Sequence, residues 1–236
     1  MQTSQRFPLP RNDRGAGPRL DLTPAERAVV AHHRTPAAVQ TWLNALPYNT
    51  EASGETLRTF RGVVHTGTAH CLEAALAAAT ILEQHRYPPL LLSFESVDLL
   101  DHVIYVYRAP TGWGSVARSR DPGLHGRKPV FATPRALALS YVEGYVDFTG
   151  RVKAYGVANL RTLGHYDWRL SGQNAWKVER FLIDWPHRAI RSSDVRINEL
   201  RRRYRAFRAR YGYKPWKYYR RRDRWTPLPE EFRRRG

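Results

Sequence analysis

The sequence predicts an α+β fold in which one buried helix packs against an antiparallel β-sheet. Residues 71–84 are rich in Ala and Leu and almost entirely apolar, which favours a helix. Residues 88–94, 101–109 and 112–121 are rich in branched and aromatic residues and are separated by Pro, Gly and Asp. Because the three strand segments follow one another without intervening helices, we expect them to pair antiparallel.

Composition limits the number of domains and the kinds of bound group. The chain has 236 residues, 42% of them hydrophobic, which is enough for one sizeable core. Cys71 is the only cysteine, so the chain can form neither an internal disulfide nor a thiol pair for a zinc or redox site. The nine histidines lack the spacing that is typical of metal sites. We therefore expect no metal, no cofactor and a reducing, cytoplasmic location.

Charge and periodicity divide the chain into three parts. Residues 1–21 lack periodicity and predict a flexible arm, whereas residues 22–195 predict the folded domain. Residues 196–236 hold 16 of the 39 Lys and Arg but 4 of the 21 Asp and Glu, and so carry +12 of the net charge of +18. No segment has the apolar length of a membrane-spanning helix or the pattern of a signal peptide, so we expect a soluble, unprocessed protein with a basic helical C-terminal extension.

Helical patterns outside the buried helix predict further elements. Pro24 preceded by Thr23 or Asp21 is a helix-start signal. Apolar residues recur at helical spacing, or helix formers predominate, in four other segments. These segments are residues 37–46, 134–145, 171–185 and 197–213. Residues 123–129 predict a loop.

Cys71 lies at the start of the buried helix. With Thr68 as N-cap, Cys71 would be the third helical residue and would face the sheet. Unsatisfied backbone N–H groups and the helix dipole favour negative charge in the first turn, and the thiolate is the nucleophilic form of cysteine. The position therefore predicts a nucleophile.

A nucleophilic thiol needs a base, and His102 is the candidate on a neighbouring strand. Strand alternation groups His102 with Ile104 on one face. If Thr111 and Gly112 form a two-residue turn, strand pairing sets Asp121 opposite His102, where it could orient the imidazole. A four-residue loop would keep both side chains on one face, whereas a three-residue loop would separate them.

These segments resemble the transglutaminase-like, papain-type superfamily of cysteine enzymes. The resemblance covers about residues 42–121 and depends on GTAHCLEAALAAATIL, LDHVIYVYRAPTGW and GSVARSRDPG, which occur in the family's order. It implies a papain-like/transglutaminase-like domain in which Cys71 is the nucleophile, His102 the general base and Asp121 the residue that orients it. It also implies an oxyanion hole built from the backbone N–H of Cys71 and one upstream donor. The candidates for that donor are Trp42, Tyr48 and His70.

The implied reaction is attack on the amide carbonyl of a peptide, a protein or a small molecule, with a thioester acyl-enzyme as intermediate. Hydrolysis is the expected second step. Protease, amidase, deglycosylase and acyl transfer to an amine all remain open, because they differ in cleft shape and acceptor access and not in the triad.

The basic extension predicts an anionic partner. Apolar residues at alternating spacings of three and four form one stripe of a helix, and aromatic residues interleaved with cations follow it. Such a surface suits RNA, DNA, an anionic membrane or acidic protein segments. An alternative function is therefore a catalytically inactive transglutaminase-like fold that binds nucleic acid or another anionic partner. The candidate cations are Arg201, Arg202, Arg203, Arg220, Arg221 and Arg222.

Overall fold

The computed structural model describes residues 15–98, 102–213 and 215–233, and its centre is a six-stranded antiparallel β-sheet. The strands are β1 (Leu90–Ser96), β2 (His102–Ala109), β3 (Gly112–Val116), β4 (Arg127–Phe131), β5 (Val152–Asn159) and β6 (Arg188–Ala189). Their order in the sheet is β4-β3-β2-β1-β5-β6, and each neighbouring pair is antiparallel. The predicted α+β class and the antiparallel pairing of β1, β2 and β3 are confirmed.

Helices cover both faces of the sheet. They are α1 (Pro24–His32), α2 (Pro36–Ala45), α3 (Phe60–Thr66), α4 (Cys71–Glu83), α5 (Pro134–Leu139), α6 (Val142–Tyr145), α7 (Trp176–Asp184), α8 (Asp194–Tyr211) and α9 (Glu230–Arg233). The helix predicted over residues 134–145 is divided into α5 and α6 at Ser140. The Ser140 hydroxyl donates to Leu137 O (2.7 Å) and accepts from Arg127 Nε (3.3 Å), and such side-chain bonds compete with helix continuation.

The helix predicted to be buried, α4, packs against one face of the sheet. Leu91 of β1 and Val103 and Tyr105 of β2 share its core, and α1, α2 and α3 contact α4 as well. Every residue of α4 after Cys71 is buried, including its polar ones. The buried carboxylate of Glu83, for example, accepts hydrogen bonds from two guanidinium groups, which compensate for its loss of contact with water.

The hairpin between β2 and β3 turns at Pro110 and Thr111, one residue earlier than predicted. Ala109 pairs with Gly112, which has a φ of +141° and packs so closely on β4 that a Cβ would lie 2.7 Å from a backbone oxygen. Gly112 is therefore a strand residue and not part of the turn. Pairing with β2 ends at Val116, so the predicted cross-strand pair of His102 and Asp121 is wrong.

The C-terminal residues pack back onto the domain. Beside the cores on the two faces of the sheet, a third, smaller core forms among Tyr204, Tyr218, Tyr219, Trp225, Leu228 and Phe232. Trp225 bridges to Arg127 of β4, and Glu231 forms an ion pair of 2.9 Å with the buried Arg118. The apolar stripe of the predicted basic helix thus contributes to a core, and residues 234–236 of the predicted extension lie outside the described residues.

Part of the predicted N-terminal arm also contacts the domain. The carbonyls of Gly15, Pro18 and Asp21 accept hydrogen bonds from three side chains of the folded core. Residues 1–14 of the predicted arm lie outside the described residues. Within the described chain, no helix combines the length and the apolar character that crossing a membrane requires.

Candidate active site

Helix α4 begins at Cys71, and His70 is its N-cap. The Leu72 N–H donates to Nδ1 of His70 (3.2 Å), while the His70 N–H donates to Oε2 of Glu73 (3.1 Å). This is a reciprocal capping box with histidine in the place of serine or threonine. The predicted cap, Thr68, is wrong because its hydroxyl accepts from Arg58 instead (2.9 Å). Cys71 is therefore the first helical residue and not the third.

Glu73 connects the start of α4 to the segment before α3. Its Oε1 accepts from the Thr56 hydroxyl (2.8 Å) and the Arg58 N–H (3.0 Å), and its Oε2 accepts from Asn49 Nδ2 (3.0 Å). Burial opposes ionisation, but the charge of His70 and these hydrogen bonds outweigh it and lower the pKa of Glu73. Glu73 is therefore a buried carboxylate that is ionised at neutral pH.

Cys71 is partly exposed, and its thiol interacts with the imidazoles of His102 and His70. Burial of the sulfur opposes ionisation, but hydrogen bonds and charge from His102 and His70 outweigh it and lower the pKa of Cys71 to about 5. The N–H groups of the first helical turn favour the same anion. At neutral pH the sulfur is a thiolate.

His102 is the first residue of β2, and its side chain interacts with Cys71. Ile104, two residues later on the same face, packs in the core on the far side of the sheet from α4. His102 can nevertheless interact with the thiol because it is the first residue of its strand. Its Nε2 bonds to Leu124 O (2.9 Å), and since a carbonyl only accepts, Nε2 carries a proton. Nδ1 is therefore the nitrogen available to the thiol.

Three aromatic rings pack around the His102 imidazole. Phe94 stacks on it with ring centroids 6.3 Å apart, and Tyr141 and Tyr145 lie at 6.4 and 6.3 Å. Only 4% of the residue is exposed, so the rings together with the Leu124 carbonyl restrict the orientation of the imidazole.

Asp121 lies in the turn after β3 and shapes it. Its Oδ1 accepts from the Gly123 N–H (2.6 Å) and from the Tyr219 hydroxyl. Tyr219 can approach because position 123 is glycine, where a Cβ would lie 2.5 Å from the tyrosine ring. The same turn ends with Leu124, whose carbonyl accepts from His102. Asp121 therefore supports the carbonyl that fixes the imidazole.

We predict that Tyr219→Phe lowers the free energy of unfolding by about 1–3 kcal/mol, because a buried charge-assisted hydrogen bond is lost. It should also change the NMR shift of the His102 Nε2 proton, since the Leu124 carbonyl would move with its turn. Urea denaturation and imidazole NMR measure the two effects. Tyr211→Phe, on the exposed side of α8, is the matched control. Unchanged stability together with an unchanged shift would show that Tyr219 does not support the turn.

Tyr48, one predicted oxyanion donor, lies close to Cys71. Burial and the negative charge of Cys71 raise the pKa of Tyr48 well above its usual value, so the phenol keeps its proton. The guanidinium groups of Arg118 and Arg120 lie 5.7 and 5.9 Å from the ring centroid. The site thus contains a protonated hydroxyl near the thiolate, and two guanidinium groups lie against the ring that carries it.

The other two predicted oxyanion donors are placed differently. The ring nitrogens of His70 bond to the Leu72 N–H and to Thr56 O (2.9 Å), so the helix cap and the preceding segment use both of them. Trp42 packs against His33, the C-cap residue of α1, with ring centroids 5.7 Å apart. His70 therefore acts on the thiol as a neighbouring imidazole, and Trp42 belongs to the packing of α1 and α2.

The role of His70 beside the thiol was missed from the sequence. Its signal is the run His-Cys-Leu-Glu, in which a polar residue precedes the helix and Glu73 follows three residues later, as in a capping box. Protonation of Nδ1 would break the bond from Leu72, whereas the Cys71 thiolate and the Glu73 carboxylate outweigh burial and raise the pKa of His70 to about 9. The His70 ring can therefore cap α4 through an unprotonated Nδ1 or carry a proton on Nδ1, but it cannot do both at once.

Three of the six predicted cations contact the domain or their own helix. Arg201 donates to Thr149 O (2.7 Å), and Arg203 forms an ion pair with Glu143. Arg202 pairs with an acidic residue of α8. These three guanidinium groups have local partners.

The other three predicted cations follow α8. Arg222 lies over the Trp216 ring, 4.5 Å from its centroid. Arg220 and Arg221 are exposed and line a polar cavity. In the described ranges, no three His, Cys, Asp or Glu side chains are grouped so that they could hold a metal ion.

Comparison with known proteins yields only distant likenesses, all of them among solved structures. No protein-family model matches the sequence, and no curated protein matches it significantly. Among solved structures the chain resembles Legionella pneumophila LapG with 11% identity, over 61% of this chain and 82% of that one, with a TM-score of 0.38. A likeness this distant does not bear on activity.

Proposed function

We propose that the protein is a transglutaminase-like cysteine enzyme that acts on amide bonds through Cys71. The observation that carries the proposal is a partly exposed cysteine at the first position of a helix, beside two histidines whose charge and hydrogen bonding lower its pKa to about 5. Structural cysteines in apolar surroundings have raised pKa values and react slowly. A thiolate maintained at neutral pH is what covalent catalysis requires.

In the proposed first step, the Cys71 thiolate attacks the carbonyl carbon of the amide and forms a C–S bond. The C–N bond then breaks, and the leaving amine takes from Nδ1 of His102 the proton that this nitrogen had accepted from the thiol, which leaves a thioester on Cys71 and a neutral imidazole. In the second step, water attacks the thioester while Nδ1 accepts its proton, and the C–S bond breaks to release the acid. Nε2 keeps its proton on the Leu124 carbonyl throughout.

The backbone N–H of Cys71 and the Tyr48 hydroxyl are proposed as the oxyanion donors. Backbone N–H groups in the first turn of a helix have no partner within the helix and point toward its N-terminus. Tyr48 keeps its proton and interacts with Cys71. Two donors near the thiol would stabilise the negative charge on the tetrahedral intermediate.

Asp121 is proposed to act as a positioning residue and not through strand pairing with His102. It holds the turn through Gly123 and Tyr219, and the Leu124 carbonyl of that turn bonds to Nε2. A fixed Nε2 proton leaves Nδ1 to exchange protons with the thiol and the leaving group. This is the orienting role of an acid in a triad, exercised through one peptide carbonyl.

The experiment incubates the protein with a mixture of synthetic peptides, with and without an added primary amine. Intact-mass spectrometry should detect an acyl adduct on Cys71, and product analysis should find hydrolysed amides. Conjugates with the added amine would show acyl transfer in place of hydrolysis. Cys71→Ser should form no thioester adduct, and His102→Ala should slow adduct formation by at least about 100-fold.

The alternative is a catalytically inactive fold that binds a polyanion. It is favoured by the exposed guanidinium groups of Arg220 and Arg221, which lack acidic partners among the described residues. It provides no role for an ionised Cys71. Absence of any adduct with peptides, amides or thiol-directed electrophiles in the native protein would overturn the enzyme and leave this alternative.

A further inference from the structure

A polar cavity of about 160 Å³ lies behind the turn that contains Asp121. Gly123 and Tyr219, both bonded to Asp121, form one wall. A water molecule occupies about 30 Å³, so the cavity has room for a group of several heavy atoms. The lining includes five guanidinium side chains, from Arg127, Arg196, Arg220, Arg221 and Arg224.

Positive charge in this cavity is poorly balanced. The one acidic side chain in the lining, Glu143, already forms an ion pair with Arg203. In the part of the chain that the structure describes, Arg196, Arg220 and Arg221 form no ion pair with a carboxylate. Clefts lined by one sign of charge concentrate counter-ions, and here that counter-ion must be an anion.

Arg127 forms a rigid base for the cavity. It is 1% exposed, and its guanidinium donates to the carbonyls of Gly123 and His125, both at 2.6 Å. It faces no carboxylate at ion-pair distance within the described ranges. Its hydrogen bonds go to neutral acceptors and the charge of Asp121 also acts on it, but burial still lowers its pKa, and a bound anion would offset this desolvation cost.

The backbone at Arg221, one of the residues that line the cavity, has an unfavourable conformation. Arg221 has a φ of +54°, in the left-handed region where glycine is the usual residue, and it precedes the 3-10 turn Arg222–Arg224. Such a conformation costs about 1 kcal/mol or more for a residue with a side chain. The turn that follows leaves Arg220 and Arg221 exposed in the lining of the cavity.

We propose that this cavity is a binding site for a phosphate group. Several guanidinium groups around one small volume match a dianion with three or four acceptor oxygens better than a carboxylate with two. The site is separate from Cys71 and does not depend on the proposed catalysis.

The test measures binding of inorganic pyrophosphate by calorimetry, with chloride at equal ionic strength as reference. The double variant Arg220→Gln/Arg221→Gln should weaken binding by about tenfold or more, since two charge-assisted contacts are lost. The matched double variant Arg191→Gln/Arg205→Gln, exposed arginines outside the cavity, should bind like the native chain. Cys71→Ser should also bind unchanged, which separates this proposal from the enzymatic one.

A second arm identifies the source of the phosphate group. A short single-stranded oligonucleotide that pyrophosphate displaces would assign the site to a nucleic-acid backbone. An oligonucleotide that fails to compete with bound pyrophosphate would assign it to free phosphorylated molecules. No binding of pyrophosphate beyond the chloride reference, or equal weakening in both double variants, would overturn the proposal.

Discussion

His102→Ala is expected to raise the pKa of the Cys71 thiol from about 5 by about 1–3 units. The variant removes the neighbour with the largest favourable effect on the thiolate, while burial of the sulfur continues to oppose ionisation. Because the native pKa is lowered, the thiolate persists as the pH falls to about 5. In the variant it should be lost at a correspondingly higher pH.

The measurement is the rate of iodoacetamide labelling between pH 4 and pH 9. Below the native midpoint the variant should react more slowly, because little of its sulfur is ionised. Well above both midpoints it should react faster than the native protein, since a more basic thiolate is the better nucleophile. The two profiles should therefore cross.

His70→Asn is the matched control, because asparagine can cap α4 but has no titratable ring. It should raise the thiol pKa as well, yet retain thioester formation with peptides. His102→Ala should both raise the thiol pKa and slow thioester formation by at least about 100-fold. An unchanged midpoint in His102→Ala would exclude the proposed base. Loss of thioester formation in His70→Asn with retention in His102→Ala would transfer that role to His70.

Glu73→Ala is expected to lower the free energy of unfolding by about 3–5 kcal/mol. The substitution leaves the donors of Asn49, Thr56, Arg58 and His70 without their common acceptor in a buried place. Each unsatisfied buried donor is costly, although entering water would relieve part of the loss. Urea denaturation measures the change.

Two further variants of this region separate charge from shape. Glu73→Gln keeps one acceptor oxygen and should lower the free energy of unfolding by about half as much. Because the Glu73 charge favours protonated His70, which in turn favours the thiolate, this variant should also raise the thiol pKa. Glu55→Ala, an exposed carboxylate nearby, should change stability by less than about 0.5 kcal/mol. A Glu73→Ala protein as stable as the native chain would show that the carboxylate is not what holds the start of α4.

The elements around the predicted site could be identified from the sequence because their signals are local. Composition and spacing alone indicate α4, β1, β2 and the start of α1 at Pro24, and the structure selects Thr23 over Asp21 as its N-cap. Strand β3 was predicted to be longer than it is, because the run up to Asp121 remains rich in small and branched residues after pairing has ended.

The features that could not be predicted depend on contacts between distant segments. Gly112 lies in a strand because it packs against β4, which was expected to be a loop. Asp121 is held by Tyr219, 98 residues later, and this contact belongs to a segment that composition alone describes as charged and exposed. Neither register nor turn could be derived without those partners.

The cap of α4 was mispredicted for a chemical reason. Thr68 is a better N-cap than His70 by intrinsic preference, but Arg58 binds its hydroxyl and Glu73 selects His70 through the reciprocal bond. The residue types at the site were therefore identifiable, whereas their hydrogen-bond partners were decided by tertiary structure.

The two imidazoles beside Cys71 also make the reactivity of its sulfur depend on the native structure. The imidazoles that lower the pKa of Cys71 are positioned by the first turn of α4, the segment at Thr56 and the start of β2. In an unfolded chain these parts separate, and the thiol returns to a pKa of about 8.5. A brief pulse of alkylating reagent at mildly acidic pH would then modify only folded molecules, so the fraction labelled during refolding would record when the site assembles.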